Sequence, residues 1–416
     1  MPRFFSFISI LLLLLTLSCS KQSDPVTLDF NSLVAGGVGL GFVSPSTVPP
    51  TATIVATMSS AVNPASATTN NIKLLRSYDT TYVDLAITVS GSTITIVPKT
   101  DLGNGIYYEL TFTLLLGTDG TSMTYLWRSF TTIGSFGPPG LIAYWNFNGN
   151  TYDMQGHYTV SSVTDLNYAI SFRKSLGQCA AFNGTSTMVQ VSNGDQLVNT
   201  KDFSVSFWVR ANSLYQIDST GKPKAQLVLG VGDYKGFEFE IASDYSSCKL
   251  VASYALPDGS TISEDLSFGG DGKTGTNGGF PGWTYCADLR ATGGVLALLK
   301  DSWAFISCTY NSNTRIGTLY IDGVMMKQQD FNKWPAGDPA TTITVLKYGG
   351  SAPLQENLFA MGFFHSALST AYSNTSWGNY FSPYSNHFRG WLDEVRIFNS
   401  AIKSSDVLEM YILTMP

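Results

Sequence analysis

The sequence predicts an all-β protein in which a small sandwich is followed by a larger one. Three observations point there. Apolar and polar residues alternate with period two in run after run, the pattern of half-buried strands. Turn-forming residues punctuate these runs every ten or so positions, and the 416-residue chain holds 39 glycines. Charged residues make up only 13%, about half of the usual quarter, while aromatic residues also reach 13%. The length leaves room for two or three domains.

The amino terminus reads as an export signal. Arg3 gives one positive charge, residues 4–17 are almost continuously apolar, and the run ends at Ser18-Cys19. It is too short to span a bilayer comfortably, which fits a secretory signal over residues 1–18. Leu15-Thr16-Leu17-Ser18-Cys19 resembles a bacterial lipobox, with Thr16 where Leu is usual. The resemblance implies cleavage before Cys19, diacylation of its sulfur and acylation of the new amino group. Three acyl chains anchor stably where one does not. An ordinary signal peptide with an incidental Cys19 is the alternative. Residues 19–25 form a polar tether similar to those of Bacteroidetes-type lipoproteins. The expected location is therefore the outer membrane, at the cell surface or its periplasmic face, with the lipid as the sole membrane contact. The net charge of −6 comes with no basic run, which argues against a nucleic-acid partner.

The first module spans 26–133. Residues 54–58 alternate as a strand, and 83–89 and 93–97 pair across Ser90-Gly91-Ser92, a hairpin turn. In 107–115, Tyr108, Leu110, Phe112 and Leu114 share one face. The pattern is that of a Greek-key sandwich. Residues 52–66, with Met58-Ser59 and Val62-Asn63-Pro64, resemble the bacterial Ig-like domain, as do Ile94 to Pro98, Leu102, Gly105 and 107–113. That family implies a spacer or stalk and carries over no site residue. Residues 134–140, Gly-Ser-Phe-Gly-Pro-Pro-Gly, are the linker.

The second module spans 141–416. In 202–210, Phe203, Val205, Phe207 and Val209 face one way and Ser204, Ser206 and Trp208 the other, so this strand is half buried or lies between two layers. Residues 304–310 and 317–326 give further strands, the latter turning at Asp322-Gly323. Residues 392–398 form a last strand, and 404–411 a helical turn or two. Six segments resemble, in order, a laminin-G-like, concanavalin A-type domain: 140–149 with Asp153 and Gly156; 179–184; 203–209; Trp303-Ala304; Leu319-Tyr320-Ile321-Asp322-Gly323; and 388–398. The resemblance covers the whole module and implies a jelly roll of two antiparallel sheets. Residues 269–298 and 358–387 are insertions relative to a minimal domain.

Glycosidases share that fold and need two carboxylates about 5 Å apart. The nearest pattern is Phe237-Glu238-Phe239-Glu240-Ile241, which lacks the intervening Asp and the third carboxylate of laminarinase-type enzymes; an exposed strand face explains the pair more simply. His157, His365 and His387 are scattered, and no Gly-x-Ser-x-Gly elbow occurs. The resemblance suggests a structural calcium ion held by Asp153 and Asp393, since Asp393 falls on the same face as Val395 and Ile397 and needs a partner. The alternative is that both accept hydrogen bonds within the protein. Cys179 and Cys308 read as buried thiols, and Cys248–Cys286 is the pair expected to bridge if any does. Carbohydrate binding leads the functional readings, because sugar faces stack on aromatic rings while hydroxyls seek Asn, Asp and Gln. Residues 372–387 interleave those types, with Trp377, Tyr380 and Tyr384 as platforms; Trp283, in 279–285, is another. These aromatics could instead fold back as a mini-core under the loop. The sequence thus predicts a non-catalytic polysaccharide-binding lipoprotein on an Ig-like stalk. The competing classes are an adhesive protein with an envelope-protein partner and, last, a glycoside hydrolase.

Overall fold

The computed structural model describes residues 27–172 and 177–415. The signal segment 1–18, the lipidation site Cys19 and the tether 19–25 lie outside these residues. Among the described residues, no helix is long and apolar enough to cross a membrane.

Two antiparallel sheets form the first domain. One places Phe30–Ala35, Ile54–Met58, Thr93–Pro98 and Leu85–Ser90 side by side; the other joins Ile72–Arg76, Tyr107–Leu116 and Ser122–Thr131. The expected hairpin closes through Gly91, whose φ of 58° suits a residue without Cβ. Tyr108, Leu110 and Phe112 turn inward onto Ile54, Ala56, Ile94 and Ile96, as their alternation requires. Leu114 departs from that face. It takes φ 51°, lies exposed, and leaves Leu115 to fill the core.

The second domain stacks a nine-stranded sheet on a seven-stranded one. The first runs through Gln178–Asn183, Arg389–Phe398, Phe203–Ala211, Trp303–Asn311, Ile316–Ile321 and Val324–Asp330. The second runs in the order Val160–Thr164, Met188–Val191, Phe359–Met361, Gln226–Val231, Phe237–Ile241, Cys248–Ala255, Thr261–Phe268. Their facing side chains interlock, with the Phe203–Phe237 and Phe207–Phe239 rings each 5.1 Å apart. Burying each such ring is worth about 1.5–3 kcal/mol. The Asp322-Gly323 turn takes φ of 52° and 77°, the doubly positive geometry that two-residue hairpins favour.

The Phe203–Ala211 strand does lie between two layers. Its outward Ser204, Ser206 and Trp208 are buried under the helix Ser404–Thr414, and Trp208 Nε1 donates to Thr414 Oγ1 at 2.8 Å. That helix is eleven residues long, longer than the predicted turn or two. Asp406 extends its start by accepting the Lys403 N–H at 2.8 Å. The linker is equally ordered: Phe136 packs on the Tyr78 ring at 5.1 Å, and Gly137 exchanges two backbone hydrogen bonds with Asn104. The Tyr78 hydroxyl donates to Asp406, and the Arg76 guanidinium lies 3.6 Å from the same carboxylate. Side chains of the first domain thus grip the terminal helix of the second.

Candidate functional site

The seven-stranded sheet has one face in the core and one turned outward, and the outward residues change character along it. On the Met188–Val191, Phe359–Met361 and Gln226–Val231 strands they are Met188, Gln190, Ala360, Leu227 and Gly230, apolar or small except for Gln190, whose Oε1 accepts from Ser366 Oγ and Ala367 N of the roof. On the next three strands they are mostly polar: Glu238, Glu240, Lys249, Ser253, Ser263, Asp265 and Ser267, with Val251 opposite Glu238 as the apolar exception. Residues 362–388, which include most of the insertion expected at 358–387, fold back over the first group. Gly362 N donates to Val228 O at 2.8 Å and Leu227 N to Asn386 O at 3.1 Å, which pins the loop at both ends. Phe363 and Phe364 then bury themselves on Met188, Leu227 and Ala360. A Cβ on Gly230 would stand 2.5 Å from Phe364 O, so only glycine lets this roof lie so close.

The roof ends in a wall of rings. Phe364 and Tyr372 lie 5.2 Å apart, Tyr372 and Trp377 4.9 Å apart, and Trp377 remains 42% exposed. Beyond this wall the sheet forms a shelf that reaches solvent at Glu240, Lys249, Asp265 and Ser267, while Val251 and Ser253 are buried. Lys249 Nζ sits 3.3 Å from Glu240 and 3.2 Å from Asp265. Burial opposes the Lys249 charge, but those two carboxylates outweigh it and raise its pKa. Glu238 stands at the foot of the wall. It is only 7% exposed, and its Oε2 has no hydrogen-bond partner. Burial, with Glu240 and Asp233 adding repulsion, pushes its carboxyl well above the usual range. Asp233, fully buried in the turn before this strand, is pushed up to about 6 by burial. The expected exposed strand face is therefore corrected: Glu240 is partly exposed, but Glu238 is buried, because the roof comes down beside it.

The predicted platforms separate. Trp377 and Tyr384, 44% exposed, present rings to solvent. Tyr380 is a pillar of the roof: its hydroxyl donates to Ser186 O at 2.6 Å, and its ring packs on Phe363 and His387. Trp283 sits apart, on the Trp283–Cys286 edge strand of the nine-stranded sheet, with Lys327 Nζ 3.4 Å from its ring centroid. One face of that ring is already taken. His365 and His387, distant in sequence, both pack on Phe363 inside the roof.

The calcium donor set does not fit. Asp153 accepts four backbone N–H groups, from Tyr144, Gln155, His157 and Tyr158, which fill all four lone-pair positions of a carboxylate. Asp393 accepts Ser171 Oγ at 2.6 Å and the Glu394 N–H at 2.9 Å, and burial pushes it up to about 8. The sequence placed Asp393 with Val395 and Ile397, but Glu394 takes φ 54° at a bulge. The register shifts there and turns Asp393 away from the core face. The Cys248–Cys286 bridge is also corrected, since Cys179, Cys248, Cys286 and Cys308 are all free. Cys248 points between the sheets although its sequence neighbours are polar, and burial pushes its thiol up to about 12. Cys286 sits on the other sheet, 3.6 Å from Asp271.

Comparison with known proteins agrees with both domains. Residues 183–371 match the family model of the concanavalin A-like lectin/glucanases superfamily, and residues 43–132 that of the bacterial Ig-like domain. The chain thus carries a bacterial Ig-like domain followed by a concanavalin A-like domain. No curated protein matches it. Among solved structures, it is similar to the binding domain of Paraclostridial Mosquitocidal Protein 1, with 15% identity and a TM-score of 0.40 over 65% of this chain and 52% of that one. It is also similar to the botulinum neurotoxin type G receptor binding domain, with 11% identity and a TM-score of 0.37 over 66% and 51%. The chain spans about half the length of these structures.

Proposed function

We propose that this protein is a cell-envelope lipoprotein, anchored through Cys19, that displays a non-catalytic glycan-binding domain on an Ig-like stalk. The observation that carries this reading is the step on the outer sheet face, where exposed Trp377 and half-buried Tyr372 rise beside a shelf of carboxylates and serine hydroxyls. Rings offer a flat partner to sugar C–H faces, and the shelf offers hydrogen bonds to hydroxyls. Glycan-array or affinity-gel binding, repeated on Trp377→Ala, tests it. Binding should fall by roughly tenfold, the order expected for one truncated aromatic contact, with the melting temperature unchanged. Retained affinity would remove Trp377 from the site, and no binding to any glycan would favour a protein partner.

One observation supports hydrolysis as a second reading: burial raises the Glu238 carboxyl well above the usual range while neighbouring Glu240 is paired with Lys249, a division of environments that acid catalysis uses. Polysaccharide cleavage that disappears in Glu238→Gln would establish it.

A further inference from the structure

The first domain has an apolar edge. The strand Ser122–Thr131 ends its four-stranded sheet, and Tyr125, 61% exposed, and Trp127 stand on the outer side of that strand. On the neighbouring strand the positive φ of Leu114 leaves both Leu114 and Leu116 in solvent. Leu116 pairs with Ser122 and Thr113 with Tyr125, so the leucines and the tyrosine adjoin. Further along the same edge the Phe42 ring, 94% exposed, lies 4.5 Å from the Arg128 guanidinium, with Val43 exposed beside it. The hairpin of the other sheet turns Ala86, Thr88, Ser90, Thr93, Thr95 and Val97 outward, so hydroxyls predominate there. A leucine rarely adopts the left-handed conformation, and here it carries an apolar side chain into water, which is costly unless something covers it.

The course of the chain identifies the partner. Thr27, where the described residues begin, forms a bridge with Ser122, and Leu28 N donates to Ser122 O at 3.2 Å. Thr27 follows Cys19 by eight residues, a segment that reaches about 28 Å at full stretch. Resting on the anchoring of Cys19 proposed above, we infer that this edge is a second membrane contact. Leu114, Leu116 and Tyr125 enter the lipid–water interface of the bilayer that holds the acyl chains. The short tether keeps them close to that surface, so a patch too small to bind lipid alone is sufficient once the anchor is in place. Leucine supplies apolar area, the amphipathic rings of Tyr125 and Trp127 suit the headgroup level, and Arg128 extends its charge towards water or headgroups. The linker follows the opposite end of the same strand, past Thr131, so the second domain is held away from the tethered end. The lipid is then not the sole membrane contact.

The test uses the full chain exported from bacterial cells. Incorporation of labelled palmitate, lost in Cys19→Ser, reports the anchor. For the edge, Leu116→Cys and Tyr125→Cys each take an environment-sensitive fluorophore. The control is Ser90→Cys, exposed on the other sheet at the same end of the domain, where Met58 N donates to Ser92 O and Ser59 N to Asp29 O. Cys179, Cys248, Cys286 and Cys308 are buried and Cys19 is acylated, so the introduced thiol is the one that reacts. The labelled lipoproteins are placed in phosphatidylethanolamine–phosphatidylglycerol vesicles with and without brominated acyl chains. Bromolipid should quench the labels at 116 and 125 several-fold and leave the one at 90 unchanged. Labels at 116 and 125 quenched no more than the one at 90, on a palmitoylated protein, overturn the contact and leave the anchor standing. No palmitate incorporation overturns both. A label at 116 in the Cys19→Ser protein that shifts to the blue without vesicles, as protein concentration rises, overturns the contact in favour of a second copy of this chain.

Discussion

The roofed and open halves of the seven-stranded sheet share one backbone pattern and one core, yet their outward faces behave oppositely. Where the outward residues are Met188, Leu227, Ala360 and Gly230, the chain returns and seals them with Phe363 and Phe364. Where they are Glu240, Lys249, Asp265 and Ser267, nothing comparable covers them. Burial follows charge here: the one polar residue under the roof, Gln190, is neutral and accepts from Ser366 and Ala367, whereas covering the second group would strip water from charges with too few partners. Glu238 sits on the border and takes the chemistry of one half with the burial of the other. That conflict makes it the residue to question.

The largest break in this contrast should come from Phe364→Ala. Removing a fully buried ring from the roof should destabilise the protein by about 3–5 kcal/mol in urea unfolding. Proteolysis should then cut within 362–388 first; cleavage on the shelf strands instead would mean the roof does not fold as a separate layer. A smaller effect comes from pH. Asp233 and Glu238 both hold their protons more tightly in the folded chain than in the unfolded one. Their stabilisation is therefore complete below about pH 4 and declines as pH rises through about 6 for Asp233 and higher for Glu238. The Asp233 share amounts to about 2–3 kcal/mol, and Asp233→Asn should flatten the decline near pH 6. A melting curve independent of pH between 5 and 8 would contradict the buried carboxylates. Smallest should be Lys249→Met on the open half. Its ion pairs are partly exposed and screened, so the loss should stay under about 1 kcal/mol and shrink further in salt.

The architecture was legible because period-two alternation survives translation into three dimensions residue by residue. Phe203, Val205 and Phe207 point where their spacing said, and Asp322-Gly323 turns as its composition required. Alternation failed where the backbone slips a residue, at Leu114 and at Glu394, both at positive φ. The second slip carried Asp393 off its expected face. The insertion at 358–387 was visible as an insertion, but not the surface it would cover, since that pairing joins residues far apart in the chain. Gly230 within an otherwise apolar strand was an available sign of close backbone approach. Trp377 and Tyr384, singled out by residue type alone, do present exposed rings. Tyr372 as part of the wall, Tyr380 as a pillar and Glu238 as a buried acid depend on the roof, which local pattern does not encode.

The grip of Tyr78 and Arg76 on Asp406 also has a mechanical meaning. Tension drawn through the chain from one domain to the other would run along two parallel paths: the covalent backbone of 134–140, and the side-chain clamp onto the terminal helix. The clamp must shear before the backbone segment bears the whole load. Until it does, the two sandwiches would turn together as one lever, and the aromatic wall would swing with the Ig-like domain.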